Sequence, residues 1–175
     1  MSIAVAAAVA LALGAFVSAS GSQSSSNNAK ATLGGFQENP SISTTGAGTI
    51  DLQIDDTAET IAYELSYGDL EGVGTTPFVT DGVVTAAHIH VGATGVNGGV
   101  SAFLCGGGGK PACPLSGTVT GVITAGDVIG PAAQGINAGE ATAFAEFVRA
   151  IRAGYTYANV HTTRWPSGEI RGQIK

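Results

Sequence analysis

Short alternations of apolar and polar residues, cut apart by glycine, proline, aspartate and asparagine, most limit the folds open to this chain. Residues 49–54 place Ile50, Leu52 and Ile54 at strand spacing, Asp55-Asp56 makes a turn, and residues 60–67 set Ile61, Tyr63, Leu65 and Tyr67 on one face. A side-chain period of two marks a half-buried strand, so these segments predict a hairpin. The pattern returns at residues 83–91, 99–105, 115–123, 155–162 and 169–174, each stretch flanked by turn-forming residues. Repeated short strands of this kind predict a two-sheet sandwich or a small barrel. One stretch departs from the rhythm: residues 140–152 carry Phe144, Phe147, Val148 and Ile151 at helical spacing, with Gly154 where a helix would stop. That predicts a single short helix packed on the sheet.

Charged residues make up only 11% of the 175 positions and glycine reaches 27 copies, poor material for a helical bundle. The length suits one core with a terminal appendage. Seven lysines and arginines under a net charge of -6 leave no basic stripe to neutralise a row of phosphates. Nucleic acid is thereby excluded as a partner, and anionic lipid is offered no electrostatic grip.

Residues 1–20 are almost wholly apolar, carry no charge and run into Ser-Ala-Ser-Gly-Ser. Two readings stand: a secretory signal cleaved near Ser18 to Ser20, though without the usual positive start, or a retained helix serving as a membrane span or as the packed core of a filament. The Ser- and Asn-rich residues 21–30 read as a linker, which leaves a domain at 31–175. Cys105 and Cys113 bracket the loop Cys-Gly-Gly-Gly-Gly-Lys-Pro-Ala-Cys. A disulfide there would persist only in an oxidising compartment and points to export; two free thiols are the other reading, since no metal partner for them is apparent.

All three histidines fall in two predicted strands. In Ala-Ala-His-Ile-His-Val the pleat puts His88 and His90 on one face, opposite Ile89 and Val91, and His161 lies opposite Val160 in Ala-Asn-Val-His-Thr. If the two strands are neighbours, three imidazoles converge, a set that suits copper, zinc, iron or nickel and leaves a coordination position open. Polar residues on the solvated face of an antiparallel sheet are the plainer reading. Glu169 and Arg171 share one side of the last strand and read as structural, holding a loop or forming a cross-strand pair worth at most about 1 kcal/mol at a surface. Pro166-Ser167-Gly168 signals the turn of a final hairpin. The chain lacks the Gly-x-Ser-x-Gly elbow, the phosphate-cradling Gly-Lys-Ser/Thr loop and the His-Glu-x-x-His helix, so no residue is expected to be catalytic.

The run Ala-Ala-His-Ile-His-Val-Gly with Gly-Val-Asn-Gly-Gly-Val, the segment Ala-Gly-Tyr-Thr-Tyr-Ala-Asn-Val-His-Thr that contains Asn159, and Pro-Ser-Gly-Glu-Ile-Arg-Gly-Gln-Ile resemble the CHRD (chordin-type) family over residues 31–175. The resemblance implies a Greek-key, immunoglobulin-like β-sandwich in a secreted or cell-surface setting, in a family whose metazoan members act through protein binding. Asn159, Glu169 and Arg171 belong to those motifs as structural marks. The His-X-His strand and the later Val-His strand are also similar to the copper ligands of copper/zinc superoxide dismutases, which would make His88, His90 and His161 ligands of one copper ion. The chain departs from that pattern by lacking a fourth histidine and an acidic zinc cluster. The expected function is an exported surface structural or interaction protein, able to associate with itself as a filament or surface layer, or with another surface protein, and to carry a three-histidine site. A mononuclear copper-binding or dismutase-like redox protein is the alternative. Membrane contact is expected only through residues 1–20, if retained.

Overall fold

The computed structural model describes residues 27–71 and 83–175; the apolar segment 1–20, residues 21–26 and the loop around Pro77 lie outside the described residues. The predicted hairpin is β2 (Ala47–Asp55) and β3 (Thr60–Gly68), antiparallel, with Ile50 opposite Leu65 and Leu52 opposite Tyr63. Their alternate side chains are buried, as the period of two requires. β4 (Val84–Val91), β5 (Val100–Cys105), β6 (Gly117–Thr124), β7 (Thr156–Thr162) and β8 (Ile170–Ile174) fall where the remaining alternations predicted them. β1 (Asn28–Gly34) begins within the stretch read as a linker: Ala29, Ala31 and Leu33 point inward, and Lys30 pairs with Asp51. Two alanines and a leucine are a faint alternation, and the pairing with β2 supplies what the propensity does not.

All eight strands join one antiparallel sheet in the order β5-β4-β7-β8-β1-β2-β3-β6. The β8–β1 seam is narrow: Gly34 pairs with Arg171, and the backbones of Lys30 and Lys175 exchange two hydrogen bonds of 2.9 Å. The sheet curls over a shared core, so that the Tyr63 hydroxyl on β3 donates to the Leu104 carbonyl on β5 at 2.7 Å. The predicted helix is α1 (Ala143–Arg152), which buries Phe144, Phe147, Val148 and Ile151. Ten residues do not hold as a helix alone in water, and this apolar face supplies the stability. Gly154 follows at φ +73°, the left-handed turn expected after it. The described residues are therefore mainly β with one short α-helix. Among the described residues no helix is long and apolar enough to cross a membrane.

Candidate metal-binding site

β4 and β7 are hydrogen-bonded neighbours, with His88 opposite Asn159, His90 opposite Tyr157 and Ala86 opposite His161. Ile89 and Val160 face the core, so alternation turns the three imidazoles to the other face. There they meet: one ring nitrogen from each of His88, His90 and His161 lies within 4.8 Å of the others. Of the two readings the sequence leaves open, a plainly solvated face does not describe His90. His90 is only 8% exposed, because residues 93–98 and the 163–168 turn fold over the sheet.

Those loops also settle the tautomers, as judged from hydrogen-bond partners. His90 Nδ1–H donates to the Gly98 carbonyl at 2.9 Å and His161 Nδ1–H to the Pro166 carbonyl at 2.9 Å. Both Nε2 atoms are thereby left as lone-pair acceptors. His90 Nε2 is buried without a hydrogen-bond partner. His161 Nε2 is 3.1 Å from His88 Nδ1 and 3.0 Å from Asn159 Oδ1. His161 Nε2 and Asn159 Oδ1 are then both acceptors, an approach made favourable by a cation between them or by the Asn159 amide turned to present its Nδ2. Burial pushes the His88 imidazole down to about 3, helped by the charges of His161 and His90. Burial also lowers His90 and His161, against the raising effect of their bonds to Gly98 and Pro166. All three are neutral imidazoles at neutral pH, the form that binds metal.

Around them is a shell that the sequence reading missed. The Tyr157 ring stacks on His90 at 4.7 Å, and the Arg171 guanidinium lies 3.4 Å from the centroid of the same ring. Tyr157 could have been found, since it shares the Asn159 and His161 face by alternation. Glu38 reaches the same region from the turn after β1, where burial raises its carboxyl to about 7 against the lowering charge of Arg171, and its Oε1 is buried without a hydrogen-bond partner. No local pattern marks Glu38, because only the fold brings it there. Phe103 on β5 meets His88 edge-on at 4.4 Å.

Of the two structural readings of Glu169 and Arg171, a cross-strand surface pair and the holding of a loop, the contacts are of the second kind. Both are buried, at 0% and 1% exposure, and they bind different partners. Glu169 accepts from the hydroxyls of Thr44 and Thr162 and from the Glu71 backbone N–H. Arg171 donates to Asn97 Oδ1 and to the Ala93 and Val96 carbonyls, holding the loop that roofs His90. Cys105 and Cys113 form a disulfide.

Fold and site together define a disulfide-closed, mainly β domain with a histidine cluster roofed by its own loops. Residues 29–174 match the CHRD domain family model, and the chain belongs to that family. The family is one of extracellular interaction domains, and the disulfide fits an oxidising environment. No curated protein and no solved structure matches the chain.

Proposed function

We propose that this is an exported surface interaction domain that holds one transition-metal ion, copper, through His88, His90 and His161. The observation that carries the reading is the pair of backbone carbonyls, of Gly98 and Pro166, that fix His90 and His161 with their Nε2 lone pairs turned inward. Second-shell carbonyls of this kind are how metal-binding histidines are oriented. Two nitrogens on one ion lie no more than about 4.2 Å apart, twice the roughly 2.1 Å of a histidine–zinc bond, so separations that reach 4.8 Å here must shorten by at least about 0.6 Å on binding. Imidazole donors favour copper over the other divalent first-row metals, zinc included.

The interaction role rests on family membership, and self-association through residues 1–20 into filaments or a surface layer is the assembly we favour. The two four-stranded halves of the sheet suit the Greek-key, immunoglobulin-like sandwich. Half-exposed His88 and His161 leave a coordination position that water or a small molecule can reach, which favours dismutase-like redox work as the second reading.

The test is elemental analysis and electron paramagnetic resonance on untagged protein loaded with one equivalent of copper. A single nitrogen-ligated Cu(II) signal, lost in a folded His90→Ala variant, is the expected result. A parent protein that retains copper no better than the variant overturns the metal reading.

A further inference from the structure

Phe103 is an aromatic residue that the core does not use. It points to the outer face of β5, half-buried, and lies outside the buried apolar cluster. Its neighbours are of two kinds. On one side is His88, its direct partner in the β4–β5 ladder, with the rings nearly perpendicular at 89°. On the other is the glycine loop: a Cβ on Gly107 would collide with the Phe103 ring, and one on Gly108 would come within 2.8 Å of it. The loop backbone lies flat against the aromatic face, an approach only glycine allows.

The loop is held there from several directions. The Cys105–Cys113 disulfide closes it, Gly106 N–H donates to the Pro111 carbonyl at 2.8 Å, and Lys110 N–H donates to the Gly107 carbonyl at 2.9 Å. A Cβ on Gly106 would collide with the Thr85 carbonyl, so the loop also starts hard against β4. The Lys110 ammonium ties the far side to β6 through the Val122 carbonyl at 2.7 Å and to Asp127 at 3.0 Å. The tetraglycine run is thus shaped by close packing on an aromatic ring.

We propose that Phe103, clamped by the disulfide-closed glycine loop, is a positioning residue that fixes the His88 ring and screens that one member of the three-histidine cluster from solvent. Its consequence for metal exchange rests on the metal reading above; its effect on His88 does not.

Diethyl pyrocarbonate, which acylates neutral imidazole nitrogen, is reacted with the metal-free full chain, and the rate at each histidine is read by peptide mass spectrometry. In Phe103→Ala, in Gly107→Ala and in the paired Cys105→Ser, Cys113→Ser variant, His88 reacts about two- to tenfold faster, the range that loss of one aromatic edge contact corresponds to. His161 changes little, and Phe103→Tyr keeps the parent rate. Copper, loaded beforehand, passes to a chelator faster in the same order. Should Phe103→Ala fail to fold by circular dichroism, Gly107→Ala carries the same expectation with the aromatic residue intact. An unchanged His88 rate in a folded variant, or equal acceleration at all three histidines, overturns the proposal. A parent that holds no copper defeats the metal reading, while the acylation rates still decide this one.

Discussion

Replacing Glu169 by alanine tests whether this buried carboxylate fastens the final hairpin to the rest of the domain. Its two oxygens receive three hydrogen bonds: Oε1 from the Thr44 hydroxyl at 2.7 Å and the Glu71 N–H at 2.6 Å, and Oε2 from the Thr162 hydroxyl at 2.8 Å. Hydrogen bonds to a charged group contribute about 1.5–3 kcal/mol each, and a buried donor left without an acceptor costs about 1–3 kcal/mol. The full sum is not expected. Glu71 is half-exposed and its N–H can turn to water, and the two hydroxyls keep bonds as acceptors from Gly46 and Trp165. Glu169→Ala should therefore destabilise by about 3–5 kcal/mol. Glu169→Gln retains one oxygen for Thr44 and Glu71 and turns its amide toward Thr162, so about 1–2 kcal/mol is expected. Urea unfolding of the disulfide-intact protein measures both as shifts in midpoint at constant slope. An alanine variant within about 1 kcal/mol of the parent, or a glutamine variant as costly as the alanine, refutes the reasoning.

Two further outcomes follow from the surroundings of Asn159. The folded-state pKa of Glu38, about 7, lies above its ordinary 4.5, so between these values the folded chain holds a proton that the unfolded chain has released. The Glu38 contribution is then greatest below about 4.5 and is lost as pH rises through 7, by up to about 3 kcal/mol. Glu38→Gln should accordingly be more stable than the parent at pH 8 and converge with it near pH 4.5; the lowered histidines act in the opposite sense below their ordinary 6.5 and cancel in the difference. A stability difference that does not change with pH refutes this. Gly168 has φ +121°, and a Cβ there would collide with Glu38 Oε1 and stand 2.9 Å from Asn159 Nδ2. Gly168→Ala should cost about 2–4 kcal/mol from backbone strain and overpacking together, read by urea unfolding, and a cost below about 1 kcal/mol would mean the turn relaxes freely.

Much of the strand layout was legible because inward-facing residues such as Ile50, Leu52 and Ile54 repeat every second position, a local signal. The Phe144, Phe147, Val148 and Ile151 face of α1 was legible for the same reason, at a different period. β1 was not, since Ala29 and Ala31 carry little hydrophobic signal and pairing with β2 decides their state. At the site, alternation put His88 with His90 and placed His161 on the equivalent face of its strand. It could not say that β4 and β7 are neighbours, which depends on contacts some seventy residues apart in the chain.

By itself, then, the sequence determined the β class, the short helix, the shared face of each histidine strand and the two cysteines at the ends of one loop. All are set by periods and spacings within a few residues. Only the tertiary structure decided that the histidine face is roofed, that Glu169 and Arg171 are buried with separate partners, and that Glu38 and Phe103 reach the cluster. Burial and hydrogen-bond partnership belong to the packed chain, because they depend on which distant loops fold over a given strand.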